Sequence, residues 1–180
     1  MLALRAGDGS AFEALFRRWS APLLRYLDRM VRDEADAEEL VQETFLRLYR
    51  ARERYRPDAR FSTWLYTIAT RLALNELRRP RRQNPHRSTD DEDAPVVLPH
   101  GGARADDVAH ARRIGEAVEG ALGTLPERQR AALWLAAVEG LSYAEIAASL
   151  ATTEKSVKAL VHRARLALAE RLGEKWEART

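Results

Sequence analysis

Residues 80–110 set the strongest limit on how this chain can fold. Pro80, Pro85, Pro95, Pro99, Gly101 and Gly102 lie there, with an acidic run from Asp90 to Asp93 at the centre. Proline removes a backbone donor and disfavours helix in the residue before it, so this stretch reads as a linker with no core of its own. The segments on either side show helical spacing of apolar residues and no alternating strand pattern. The expected fold is therefore all-α, with two small helical domains over residues 1–79 and 111–180. The segment 80–110 between them is expected to be a flexible, solvated tether.

The N-terminal block holds several helix signals. Ser10 to Glu13 spells a capping box, S-x-x-E, ahead of Phe12, Leu15, Phe16 and Trp19. Leu23, Leu24, Leu27 and Met30 continue the apolar face after Pro22. Asp36 to Glu39 is a second start signal, followed by Leu40, Val41, Thr44, Phe45 and Leu48 at helical spacing. The other side of that helix carries Glu38, Glu39, Gln42, Glu43 and Arg47. A loop broken by Pro57 then leads into FSTWLYTIATRLALNELRR, Phe61 to Arg79. Ser62 or Thr63 is expected to cap this helix. Leu65, Ile68, Ala69 and Leu72 form its buried stripe. A neighbouring face carries Trp64, Thr67, Arg71, Asn75 and Arg78. Aromatic, guanidinium and amide groups on one face suit stacking on bases and pairing with phosphates.

The C-terminal block has capping-box patterns at Thr124 to Glu127 and Ser142 to Glu145. Ala131, Leu133, Trp134 and Val138 predict one helix ending at Gly140, where a left-handed residue is cheap. Tyr143 to Leu150, a turn at Ala151 and Thr152, and Glu154 to Leu172 then have helix-turn-helix proportions. Val157, Leu160, Val161, Ala164 and Leu168 form the buried stripe of the second helix. Lys155, Lys158, His162 and Arg165 lie largely away from it, as a major groove would require. Lysines in the N-terminal half can reach base edges, while Arg163 and Arg165 suit the backbone. The plainer alternative is a helical hairpin with a solvated basic face. Trp19, Trp134 and Trp176 read as packing or rim residues, and Trp64 suits packing as well as stacking.

Other classes find little support. The chain has no cysteine, and its four histidines, His86, His100, His110 and His162, show no ligand spacing, so neither a metal nor a cofactor is expected. No apolar run is long enough to span a bilayer and the first residues lack a signal pattern, which predicts a cytoplasmic protein. A net charge of +3 does not by itself announce nucleic acid; local clustering carries that argument. An enzyme is not expected, because no paired carboxylates lie near a plausible base in an apolar pocket and no phosphate loop appears.

Three segments together resemble the extracytoplasmic-function group of sigma-70-type RNA polymerase sigma factors. DAEELVQETFLRLYR, from Asp36, is similar to that group's polymerase-binding helix. Phe61 to Arg79 is similar to its promoter-opening, minus-ten helix, and the segment from Leu125 is similar to its region four. The resemblance implies that Asp36, Glu39, Leu40, Gln42, Glu43 and Phe45 dock on core RNA polymerase at the β′ clamp. It implies minus-ten DNA contacts from Tyr55, Asp58, Phe61, Trp64, Arg71, Asn75, Arg78 and Arg79. Minus-35 contacts would come from Lys155, Ser156, Lys158, Ala159, His162, Arg163 and Arg165. Implied partners are the β and β′ subunits, promoter DNA and an anti-sigma factor of the kind common in the family. The linker would thread between polymerase channels, its acidic run mimicking nucleic-acid charge. Arg71 stands where the family usually has asparagine, Asn75 where aspartate is common, and Ala159 and Leu160 where a polar pair often faces DNA. Leu160 also falls on the buried stripe. Ala151 replaces a common glycine, which strains the position if its backbone is left-handed. The competing reading is a free-standing helix-turn-helix repressor whose N-terminal block dimerises or binds a ligand.

Overall fold

A computed structural model describes residues 1–58, 60–79 and 105–177, without the side chains of 105–111 and 174–177. The expectations for the linker and its acidic run, for His86, His100 and His110, and for the Trp176 side chain lie outside the described residues. The helices are α1 (Leu2–Arg5), α2 (Gly9–Val31), α3 (Glu34–Arg50), α4 (Phe61–Arg78), α5 (Ala105–Gly123), α6 (Glu127–Ala137), α7 (Tyr143–Ser149) and α8 (Glu154–Glu177). One turn of 3-10 helix, Arg52–Arg54, follows α3. No strand occurs among the described residues, in keeping with the all-α expectation. None of their helices is long and apolar enough to cross a membrane. Helix α5 begins at Ala105, inside the stretch expected to be linker, because no proline follows Pro99 until Pro126.

Several helices start at a different residue from the one the sequence pattern names. Helix α2 is capped by Asp8, whose carboxylate accepts from the Ser10 N–H at 2.9 Å, so Ser10 is inside the helix rather than its cap. Helix α3 is capped by Asp33, which accepts from the Asp36 N–H at 3.0 Å. In both cases an upstream aspartate in extended backbone reaches the orphan N–H groups first. Helix α4 starts without a side-chain cap, since Thr63 points elsewhere. Thr124 turns its hydroxyl back to the Ala121 carbonyl at 2.8 Å, and α6 opens from Pro126 instead. Ser142 and Glu145 do form the full capping box expected at α7. Ala151 is left-handed at φ 49°, and Gly140 at φ 65°.

Helices α2, α3 and α4 close the N-terminal core around Leu23, Leu27, Met30, Leu48, Leu65 and Ala69. Ile68, on the expected stripe, is only half-buried. Helices α6, α7 and α8 close the other around Leu135, Ile146, Val157, Val161 and Ala164. Leu160 and Leu168 pack half-buried against it, while Val138, expected on the apolar face of α6, is 59% exposed. Each fully buried aliphatic side chain contributes roughly 1.5–3 kcal/mol, enough in sum to hold such small helices together.

The two cores meet. The Tyr26 ring of α2 lies 6.5 Å from Trp134 of α6, and its hydroxyl shares a 2.7 Å hydrogen bond with Thr70 of α4. Arg29 pairs with Glu119 of α5 and sits 6.0 Å above the Trp134 ring. Arg130, 5% exposed, donates to the Met30 carbonyl at 2.8 Å and to the Gly123 carbonyl at 3.3 Å, so it closes the ends of α2 and α5 at once. Arg32 also donates to Gly123. Cationic donors suit the exposed carbonyls of a helix C-terminus. Burial, and then the charge of Arg32, pull the Arg130 pKa below its usual value. The Tyr66 hydroxyl is buried nearby without a hydrogen-bond partner among the described residues. Burial, and then the Glu139 carboxylate, push its ionisation upward.

Candidate functional site

Helices α3 and α4 enclose a groove of about 550 Å3 lined by Asp36, Glu39, Leu40, Gln42 and Glu43. Five of the six expected polymerase contacts thus come together. Phe45 does not: it is 2% exposed, with Phe16 at 4.8 Å and Phe12 at 6.1 Å, and acts in the core rather than on the surface. Its place in the apolar stripe already pointed inward. Asn75 and Arg79, expected on the DNA-facing side of α4, line the same groove, because residues four apart share a helical face. The lining carries four carboxylates, on Asp36, Glu39, Glu43 and Glu76, against two guanidinium groups. Those two are already engaged, Arg47 with Glu43 at 2.6 Å and Arg79 with Glu76 at 2.8 Å. The groove is therefore acidic, with buried Leu40 and Leu72 and exposed Leu46 completing its lining.

An aromatic cluster forms at the start of α4. The Tyr55 ring lies 5.1 Å from Trp64, Trp64 lies 6.5 Å from Phe61, and Phe61 lies 5.6 Å from Trp19. Tyr55 is only 8% exposed, so it supports the cluster from beneath, whereas Phe61 and Trp64 remain half-open. Arg5 donates to the Tyr55 carbonyl at 3.3 Å and holds the loop in place. Asp58 is exposed on the turn before α4. Trp19, expected to be a packing or rim residue, packs on Phe61 and Tyr66, and the Arg18 guanidinium, which no sequence pattern singles out, lies 5.6 Å from its ring. No local pattern links Trp19 to Phe61; only the packing of α2 on α4 does.

Farther along α4, its polar face meets α7. Thr63, 6% exposed, donates to the Glu145 carboxylate. The hydroxyls of Thr67 and Ser149 are 2.7 Å apart, and Arg71 donates to the Ala148 carbonyl at 3.2 Å. The other oxygen of Glu145 accepts from the Ser142 N–H and hydroxyl, both at 2.8 Å. The Thr63 hydrogen bond first, and then Ser142, hold the Glu145 pKa below its usual value. Arg78, by contrast, is exposed at the helix end.

The helix-turn-helix presents α8 outward. Lys155, Lys158, His162, Arg163 and Arg165 are all exposed. Ser156 and Ala159 are half-buried. The Ser156 N–H donates to the Thr153 hydroxyl at 3.2 Å, which caps α8, and the Ala159 carbonyl accepts from Arg163 at 3.3 Å. Arg128 donates to the Leu150 carbonyl at 2.8 Å and pins the turn. The basic face expected from the sequence is thus continuous and open.

Comparison with known proteins matches both halves. Sigma-70 region 2 matches residues 15–83 and sigma-70 region 4 matches residues 115–168. The RNA polymerase sigma factor CarQ of Myxococcus xanthus is 37% identical, covering 97% of this chain and 96% of that protein. The RNA polymerase sigma-H factor of Pseudomonas aeruginosa is 33% identical, covering 92% of this chain and 88% of that protein. The extracytoplasmic-function sigma factor SigE of Mycolicibacterium smegmatis is also 33% identical over 92% of this chain, which spans 65% of that longer protein. Among solved structures, CnrH in complex with the cytosolic domain of CnrY superimposes with a TM-score of 0.66 at 26% identity, over 95% of this chain and 93% of that one. Sequence, fold and the order of the two regions agree: the chain belongs to the extracytoplasmic-function group of sigma-70-type RNA polymerase sigma factors.

Proposed function

We propose that this chain binds core RNA polymerase, directs it to particular promoters and helps separate the DNA strands there. The observation that carries this reading is the order of region 2 and region 4 along one short chain. In this reading the acidic α3–α4 groove receives an arginine-rich coil of the β′ subunit. Carboxylates such as Asp36, Glu39 and Glu43 pair with guanidinium groups through strong, charge-assisted hydrogen bonds. Asn75 and Arg79 join that contact, and the β subunit meets the C-terminal domain.

Phe61 and Trp64, backed by Tyr55, form the wall on which an unstacked base of the opened strand rests. Stacking on an aromatic side chain is worth about 1–3 kcal/mol per base, comparable to the few kcal/mol that unstacking costs. Asp58 and Arg71 supply hydrogen bonds to base edges, and Arg78 pairs with phosphate. On α8, Lys155, Lys158 and His162 face the bases of an upstream duplex element, with Ser156 and Ala159 beside them. Arg163 and Arg165 hold its backbone. Bond formation belongs to the polymerase, and the chain works beside it in the cytoplasm. An anti-sigma factor is a further partner in this reading.

The test is transcription in vitro with purified core enzyme and fragmented genomic DNA from the source organism. Discrete transcript starts should depend on the added chain. No promoter-directed initiation, together with tight duplex binding by the chain alone, would favour a free-standing helix-turn-helix repressor instead.

A further inference from the structure

Helix α1 lies ahead of the stretch that matches region 2, yet it is tied to the segment that leads into α4. Gly7 turns the chain at φ 94°, a left-handed conformation that glycine adopts without steric cost. The turn is closed by the Gly7 N–H on the Leu4 carbonyl and the Asp8 N–H on the Ala3 carbonyl, both at 3.1 Å. Asp8 then caps α2, so α1 is held back against the helix that follows it. Leu4, 2% exposed, anchors α1 in the N-terminal core, and α1 also touches the 3-10 turn Arg52–Arg54. From there the Arg5 guanidinium donates to the Tyr55 carbonyl.

Tyr55 is thereby fixed from two sides. Its own N–H donates to the Arg52 carbonyl at 3.3 Å. Arg52 in turn sits 4.2 Å from the Tyr49 ring and donates to the Tyr49 carbonyl at 3.0 Å, which fastens the 3-10 turn to the end of α3. Arg5 supplies the second attachment, and the Tyr55 ring is held beneath Trp64 between the two. A wall that receives an unstacked base works best when its rings are locked beforehand, because ordering them at the moment of binding subtracts from affinity. We infer that Arg5 is a positioning residue for strand capture: through the Tyr55 carbonyl it locks the aromatic wall at the start of α4, while touching no base itself. The inference rests on the strand-binding reading of Phe61 and Trp64. One cationic donor is enough for one carbonyl, so lysine can replace Arg5 and methionine cannot.

The test uses the full chain with purified core enzyme, on a promoter found by the transcription assay above. That promoter is supplied as ordinary duplex and as a duplex mismatched over the segment that the parent opens. Arg5→Met should slow initiation about tenfold on the ordinary duplex and less than about twofold on the mismatched one, where capture has no unstacking cost left to offset. Arg5→Lys should recover most of the rate on ordinary duplex. Affinity for core enzyme should be unchanged in both variants, since the α3–α4 groove takes Asn75 and Arg79 from the opposite end of α4. Arg5 is exposed, so neither variant opens a cavity in the core.

An equal loss on both templates is what general destabilisation gives, and it overturns the inference. So does a loss that lysine leaves in place, or full activity of Arg5→Met on ordinary duplex. Permanganate reactivity of thymines in the opened segment provides the second measurement. It should be delayed by Arg5→Met in step with initiation, and opening at the parent rate overturns the inference. Initiation by the parent with a template-indifferent Arg5→Met sinks the positioning role alone, whereas no initiation by the parent sinks the promoter reading and the positioning role with it.

Discussion

Replacing Arg130 by methionine tests how the two halves are joined. The side chain is 5% exposed, and its two hydrogen bonds reach the last turn of α2 and the end of α5. Methionine fills much of the same volume but donates nothing. The Met30 carbonyl then loses its charged donor, at a cost of about 1–3 kcal/mol for a buried acceptor left unpaired. The Gly123 carbonyl keeps Arg32 at 3.3 Å and loses less. Against this, a buried guanidinium no longer has to be desolvated, and the repulsion from Arg32 disappears. We therefore expect a net loss near the lower end, about 1–2 kcal/mol. Because the bond to Met30 crosses between domains, the loss should appear as uncoupling. In urea denaturation followed by far-ultraviolet circular dichroism, the parent should unfold in one transition. The variant should show an earlier, broader or divided one. An unchanged midpoint and slope would refute the claim that Arg130 ties the domains together.

Other outcomes follow from single contacts. Asp33→Ala should lower stability by about 0.5–2 kcal/mol through loss of the α3 cap, whereas Asp36→Ala should cost much less of the helix, a contrast that thermal melts can resolve. Ala151→Gly should raise the melting temperature, since a non-glycine residue in left-handed backbone costs about 1–2 kcal/mol. The lowered Glu145 pKa means the carboxylate contributes fully above the ordinary glutamate value of 4.5 and loses its contribution as pH falls through the folded-state value. Exchange protection of α7 should fall over that acidic window and not between neutrality and 4.5. Lys158→Ala should weaken duplex binding and flatten its salt dependence by about one unit; an unchanged slope would remove Lys158 from the contact.

Much of this was legible because helical periodicity and turn chemistry are local. The α8 stripe of Val157, Val161 and Ala164, the Ser142–Glu145 box and the strained Ala151 follow from neighbours in sequence. Periodicity reports which face a residue occupies but not what covers that face. Tyr55 is therefore deeper than its loop position implied, and Asn75 shares a groove with carboxylates of α3 rather than the side facing α7. Caps at Asp8 and Asp33 escaped notice because competing side chains stand two or three residues away and only backbone geometry selects between them. Thr63 looked like a cap for the same local reason. Its actual acceptor, Glu145, is 82 residues distant, and no short-range rule can name such a partner.

The two oxygens of Glu145 divide their work in a way that bears on how the protein can be engineered. One oxygen stays on Ser142 within its own helix, and the other reaches Thr63. Domain separation would release only the second, so the helix-turn-helix would keep its cap and remain folded whether docked or not. Removing the glutamate strikes the cap and the docking contact together and leaves the two effects inseparable. Ser149, which touches α4 but caps nothing, is where attachment can be tuned while the helix-turn-helix stays intact.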